Sequence, residues 1–228
     1  MIGYRSGAMG HYRLWQMPAD RSRPRTQVRA TGFSQNAESY SPDGQVLAYT
    51  AIEPNAPSKV ITVALQGSGA PQMLDDSTYA EGSPKFSPDG HWVAYCSTES
   101  GKPQVYVQAF PGPGAKTQVS NDGGTDPVWK RSGDELFFRN GDRMMAVPVS
   151  TARGFAAGRP RELWKGRYSH GMSTSCGAPG FSSSNYDVTG DGQRFLMIKD
   201  DDQDTATSTH IVIALGWADE LSRVSGKI

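Results

Sequence analysis

Residues 83–112, SPKFSPDGHWVAYCSTESGKPQVYVQAFPG, hold three short extended segments and two turns. Pro84 disfavours a helix before it, so Ser-Pro-Lys-Phe-Ser is extended. Pro88-Asp89-Gly90 is a tight turn, because Pro presets φ and Gly accepts the positive φ of the return. His91 to Ser97 and Gln104 to Phe110 are rich in Val, Tyr, Trp and Phe, which fit a pleated, half-buried surface. Ser100-Gly101-Lys102-Pro103 joins them. The unit is an antiparallel meander.

The unit recurs. Tyr40-Ser41-Pro42-Asp43-Gly44 followed by Gln45 to Tyr49 matches Phe86-Ser87-Pro88-Asp89-Gly90 followed by His91 to Tyr95. Trp129 to Phe138 is a weaker third copy, and Val188 to Met197 a fourth. With Ser41 as the marker, the copies begin at 41, 87, 130 and 189, spaced by 46, 43 and 59 residues. Several short strands repeated about every 40–45 residues are the mark of propeller blades. The predicted fold class is all-β: a β-propeller of four-stranded antiparallel blades, about five in number, the first and last partial.

The Ser-Pro-Asp-Gly turn before an apolar strand ending in Ala-Tyr resembles the TolB-type, WD-repeat-like propeller repeat. Asn121-Asp122-Gly123-Gly124-Thr125-Asp126-Pro127-Val128-Trp129 resembles the segment that leads into that turn. The runs 86–149 and 186–217 are similar to propellers C-terminal to the kinase domains of some bacterial serine/threonine kinases. The resemblance spans about residues 1–218. It implies a periplasmic or extracytoplasmic protein-interaction module and transfers no catalytic residue.

Bulk composition agrees with one soluble, loop-rich domain. The 26 Gly and 15 Pro suit many short turns better than long helices. Lys+Arg and Asp+Glu both number 23, so no basic footprint for nucleic acid is expected. The cluster of arginines between Arg21 and Arg29 reads as a solvated linker. No run of 18 apolar residues exists, so no membrane span is expected. Met1 to Asp20 lacks the layout of a signal peptide, which places any export signal upstream. The two cysteines, Cys96 and Cys176, match neither a disulfide framework nor a metal spacing. Cys96 closes an apolar strand and reads as buried. Cys176 lies in a Gly/Ser-rich loop and reads as exposed, so no bridge between them is expected.

The organisation expected is a partial blade at 1–30, blades at 31–75, 76–120 and 121–166, a long inter-blade loop at 167–185, a partial blade at 186–217 and a tail at 218–228. Both end blades read as carrying middle strands, which points to the C-terminal part of a longer propeller. Open blade edges would then favour self-association. A closed five-bladed ring with divergent end strands is the alternative.

In a four-stranded meander, inter-blade crossovers share one face with the loops joining strands two and three. The Ser-Pro-Asp-Gly turns lie opposite. Asp43, Asp89 and Asp191 therefore read as turn braces. The extra length in the 59-residue interval falls in the 167–185 crossover, on the face that also carries 79–81 and 123–126. Tyr79, Glu81, Asp126, Tyr168 and His170 are the candidate ligand- or partner-binding residues. The acidic run Lys199 to Asp204 shares that face, lacks the Gly and distal Glu of a calcium loop, and reads as solvated.

Enzyme signatures are missing: no Gly-x-Ser-x-Gly elbow, no His-Glu-x-x-His, no phosphate-cradling loop and no kinase signature. His11, His91, His170 and His210 are dispersed. The reading is a non-catalytic module that binds a protein or peptide partner, with no cofactor and no metal. The alternatives are a propeller fragment of a prolyl-oligopeptidase-like hydrolase and a small-ligand or sugar-binding propeller.

Overall fold

The computed structural model describes residues 2–8, 11–32, 34–112, 114–168, 176 and 186–198. His170, the acidic run 199–204, the expected strand 210–217 and the tail from 218 lie outside them. The described residues form strands only, in five antiparallel sheets that follow one another along the chain. No helix among them is long and apolar enough to cross a membrane.

The first sheet holds β1 (Ile2–Ala8), β2 (His11–Met17) and β3 (Thr26–Gln27). The second is the meander β4 (Ser34–Tyr40), β5 (Val46–Ile52), β6 (Lys59–Ala64) and β7 (Gln72–Met73). The third repeats it with β8 (Glu81–Phe86), β9 (Trp92–Ser97), β10 (Gln104–Ala109) and β11 (Lys116–Gln118). The fourth has β12 (Thr125–Trp129), β13 (Glu135–Asn140) and β14 (Arg143–Ser150). Both β15 (Ala156–Ala157) and β16 (Arg161–Lys165) pair with β14, at its two ends. The fifth shows β17 (Tyr186–Val188) and β18 (Phe195–Met197).

The four turns entering the second strands have one backbone design. Gly44, Gly90, Gly133 and Gly192 sit at φ of 70°, 74°, 77° and 73°, the left-handed region where a Cβ is strained. In three copies a hydroxyl completes the turn. Ser41 Oγ accepts the Val46 amide at 2.9 Å, Ser87 Oγ the Trp92 amide at 3.0 Å, and Thr189 Oγ1 the Arg194 amide at 3.1 Å. Each hydroxyl donates to the following aspartate. That aspartate also accepts the amide two residues on, at 3.0 Å in all three. The third copy along the chain has Lys130 in the hydroxyl position. It keeps the backbone bonds and substitutes a Lys130–Asp134 ion pair at 3.2 Å.

Period-two alternation divides the core into layers between neighbouring sheets. On β5, Leu47, Tyr49 and Ala51 pack against Leu14 and Val28 of the first sheet, whereas Ala48 faces Val93 and Tyr95 of the third. On β13, Leu136 and Phe138 pack with Ala94, Val105 and Val107 of the third sheet, and Phe137 faces Tyr186 and Phe195 of the fifth. The strands β5, β9 and β13 thus each serve two neighbours, which explains why these runs are apolar throughout.

One expectation is corrected. Cys96 and Cys176 form a disulfide, with Cα atoms 5.7 Å apart and 80 residues between them in sequence. Cys176 is 7% exposed. Cys176, which follows the fourth sheet in sequence, lies against β9 of the third, beside Gly82. Long-range packing, not the polar composition around Cys176, sets its burial.

Candidate functional site

The innermost strands β4, β8, β12 and β17 carry the site. Each of the first three has a register shift against its partner, between Ala37 and Ser39, Gly82 and Lys85, and Thr125 and Val128. A proline lies in two of the shifts, at the bulge where a missing ladder N–H costs nothing. Ser83 and Asp126, the residues before those prolines, have φ of 55° and 53°. Non-glycine residues rarely take this conformation, and it marks both as positions with a special requirement.

These bulges turn polar groups toward one another across the blades. Ser83 Oγ lies 3.5 Å from Asp126 Oδ1, Thr125 donates to Asp126 Oδ2 at 3.0 Å, and the Tyr186 hydroxyl donates to the Asp126 carbonyl at 2.7 Å. Lys85 Nζ donates to the Glu38 carbonyl at 3.0 Å, and Trp129 Nε1 to the Lys85 carbonyl at 3.0 Å. Thr50 donates to Glu38 Oε1 at 2.6 Å. The other Glu38 oxygen is shut off from solvent and meets no hydrogen-bond partner among the described residues. Burial pushes the Glu38 carboxyl up to about 8, against the Lys85 charge and the Thr50 hydroxyl, with the Asp126 charge adding to the rise. Glu38 is therefore mostly protonated at neutral pH. Burial likewise raises Tyr186 well above the usual phenol range, with Asp126 adding to the rise and the Arg139 cation opposing it.

Arg139 is buried at the end of β13, opposite Thr125. It donates to the Gly141 carbonyl at 3.2 Å and to the Tyr168 carbonyl at 3.4 Å. Asp126 and Tyr168 thus belong to one neighbourhood. A Cβ at Gly166 would come within 2.7 Å of the Tyr168 ring, so a larger residue there would shift that ring.

Tyr79, in the crossover between the second and third sheets, and Glu81, the first residue of β8, differ from each other. Tyr79 is 44% exposed. Glu81 is 1% exposed, its carboxylate accepting the Val60 amide at 3.3 Å and the Ser77 hydroxyl. Burial and, to a lesser degree, the Asp75 charge raise it to about 7 against the donors Ser77 and Val60 and the Lys59 charge. Lys59 in turn donates to the Tyr79 carbonyl at 2.6 Å. Glu81 and Lys59 staple the crossover to β6, and Tyr79 is what that crossover presents outward. His170 lies outside the described residues.

Sequence reading passed over Glu38, Lys85, Arg139 and Tyr186. For Glu38 and Lys85, a charge near the end of an inner strand, just before the turn, is the signal that could have found them; nothing in the sequence marks Arg139 or Tyr186. His91 is exposed beside the Pro88-Asp89-Gly90 turn, on the opposite face. No group of three His, Cys, Asp or Glu among the described residues is arranged to hold a metal.

A structure assigned as TolB from Agrobacterium tumefaciens superposes with a TM-score of 0.59 at 17% identity, covering 83% of this chain and 65% of its own. TolB from Acinetobacter baumannii gives 0.56 at 17%, covering 72% of this chain and 41% of its own. At that identity the likeness is one of fold. The chain spans less than two thirds of the length of either. A gluconolactonase from Xanthomonas campestris scores 0.45 at 16% identity, covering 63% of this chain and 46% of its own, and no functional statement follows from it. No curated protein matches the sequence. Residues 17–154 match the TolB beta propeller domain, so the chain belongs to that family.

Proposed function

We propose that this chain is a non-catalytic recognition module that binds a protein or peptide segment on its crossover face, as part of a larger TolB-like protein outside the cytoplasm. One observation carries the reading. The crossovers carry an exposed aromatic, Tyr79, whose carbonyl is held by Lys59, and the partly buried Tyr168, whose carbonyl is held by Arg139. Aromatic surface beside satisfied polar groups is the usual make-up of a recognition patch. The buried Cys96–Cys176 disulfide supports an oxidising compartment, since such bridges are rare where thiols are kept reduced. That the chain spans 65% and 41% of the two TolB structures supports a longer parent.

Site-specific photo-crosslinking in living cells tests it. A crosslinking residue replaces Tyr79 or Tyr168 on the crossover face, or Gln45 or Gln193 beside the turns. The reading expects a protein adduct of defined mass from the first pair and none from the second. Adducts from the turn-side pair alone, or equally from both, would refute it.

A further inference from the structure

A groove of about 730 Å³ separates β7 from the end of β10, on the flank between the second and third blades. None of the crossover-face residues named above lines it. Its volume suits a small organic ligand. Val46, Ala64 and Leu74 form an apolar trough, and Phe110 and Pro111 form the opposite wall. The Phe110 ring is held edge-on to Phe86, with centroids 5.0 Å apart. Gln108 donates to the Leu74 carbonyl at 3.1 Å, and a Cβ at Gly112 would come within 3.0 Å of the same oxygen. These contacts fix the width of the groove. Met73, 57% exposed at the rim, is the adaptable part of the lining.

One end is charged. Asp75, Asp76 and Lys116 meet there. Lys116 is already paired twice, to Asp75 at 2.9 Å and to Glu99. Lys59, the next cation, is turned to the carbonyls of Ser77 and Tyr79. Asp76 is exposed and has no ion pair among the described residues. With Asp75 paired to Lys116, Asp76 is the carboxylate of the lining left without a cation, and it sits where the apolar trough ends.

We propose that this groove binds a small amphipathic organic cation, its aryl or alkyl body in the Val46–Phe110 trough and its ammonium group against Asp76. The site is independent of the crossover face, and failure of either proposal leaves the other standing.

The probes are 4-phenylbutylamine and its uncharged isostere 4-phenyl-1-butanol, titrated at low ionic strength while the methyl resonances of Ala64, Ala70 and Met73 are followed. The amine should saturate these signals with an affinity about fivefold above the alcohol, the upper size of one solvent-accessible ion pair. Asp76→Asn should reduce that advantage to less than about twofold at an unchanged melting temperature, because the side chain is exposed. Ala70→Phe, an exposed rim substitution, should block both probes. Equal binding of amine and alcohol, an advantage untouched by D76N, or no saturable response to either probe would overturn the proposal.

Discussion

Opening the Cys96–Cys176 bridge tests the long-range packing directly. The bridge spans 80 residues of sequence. The entropy returned to an unfolded chain by releasing a loop of that length amounts to about 4.5 kcal/mol at 25 °C. Against a total stability on the order of 5–15 kcal/mol, this is a third or more of what holds the chain folded. For a domain of this size the melting temperature should fall by about 10–15 °C. The assay is urea and thermal unfolding followed by circular dichroism, on oxidised protein, on protein reduced under denaturing conditions and refolded, and on Cys176→Ala. Thiol titration of the denatured chain should count none before reduction and two after it. The variant should melt with the reduced parent and respond no further to reductant. If oxidised and fully reduced protein melt together, or if two thiols titrate in the untreated chain, the closeness of Cys176 to β9 is wrong.

Two further outcomes follow from the buried carboxyls and the turns. Glu38 and Glu81 bind protons more tightly folded than unfolded, so their contribution is complete below about 4.5 and is lost as pH rises through about 7 for Glu81 and about 8 for Glu38. Unfolding free energy from urea titrations should therefore decline between pH 5 and 8.5, and Glu38→Gln should be the more stable protein at pH 8.5 while matching the parent at pH 5; a variant offset that does not change with pH would contradict this. Gly90→Ala should cost on the order of 1 kcal/mol in backbone strain. It should cost more than Gly44→Ala, because its new methyl meets Pro42 Cδ at 3.3 Å whereas nothing lies within 4 Å at Gly44. Equal losses in parallel melts would show that neighbouring turns do not touch.

The turns were legible because their chemistry is local. Pro, a short acceptor and Gly at 88–90 set the dihedrals wherever the segment lands, and Gly133 preserves the geometry even where Lys130 has replaced the hydroxyl. Strands followed for the same reason, from the runs of Val, Tyr and Phe. The site was legible only in part. Asp126 and Tyr168 are placed on one face by the repeat, but the Arg139 side chain that reaches the Tyr168 carbonyl cannot be read from either. Glu81 carried the same expectation, yet it turns inward under the Val60 amide, because strand alternation says which face a side chain takes and not what waits there. Glu38 and Lys85 owe their meeting to two successive bulges, each a one-residue offset that no short pattern announces. The disulfide was missed for a related reason: its halves belong to elements that only the packing of three blades brings together.

The layered core makes the chain behave as a row of coupled units. Each interior sheet draws its support from the two beside it, so stability is close to a sum over adjacent pairs, and an end unit has only half the coupling of a middle one. Opening would then travel inward from the ends, one layer at a time. The Cys96–Cys176 bond breaks that nearest-neighbour rule. It ties the connection ahead of the two short strands β17 and β18 to a unit two places back, and so lends the weakest described end the anchorage of the interior.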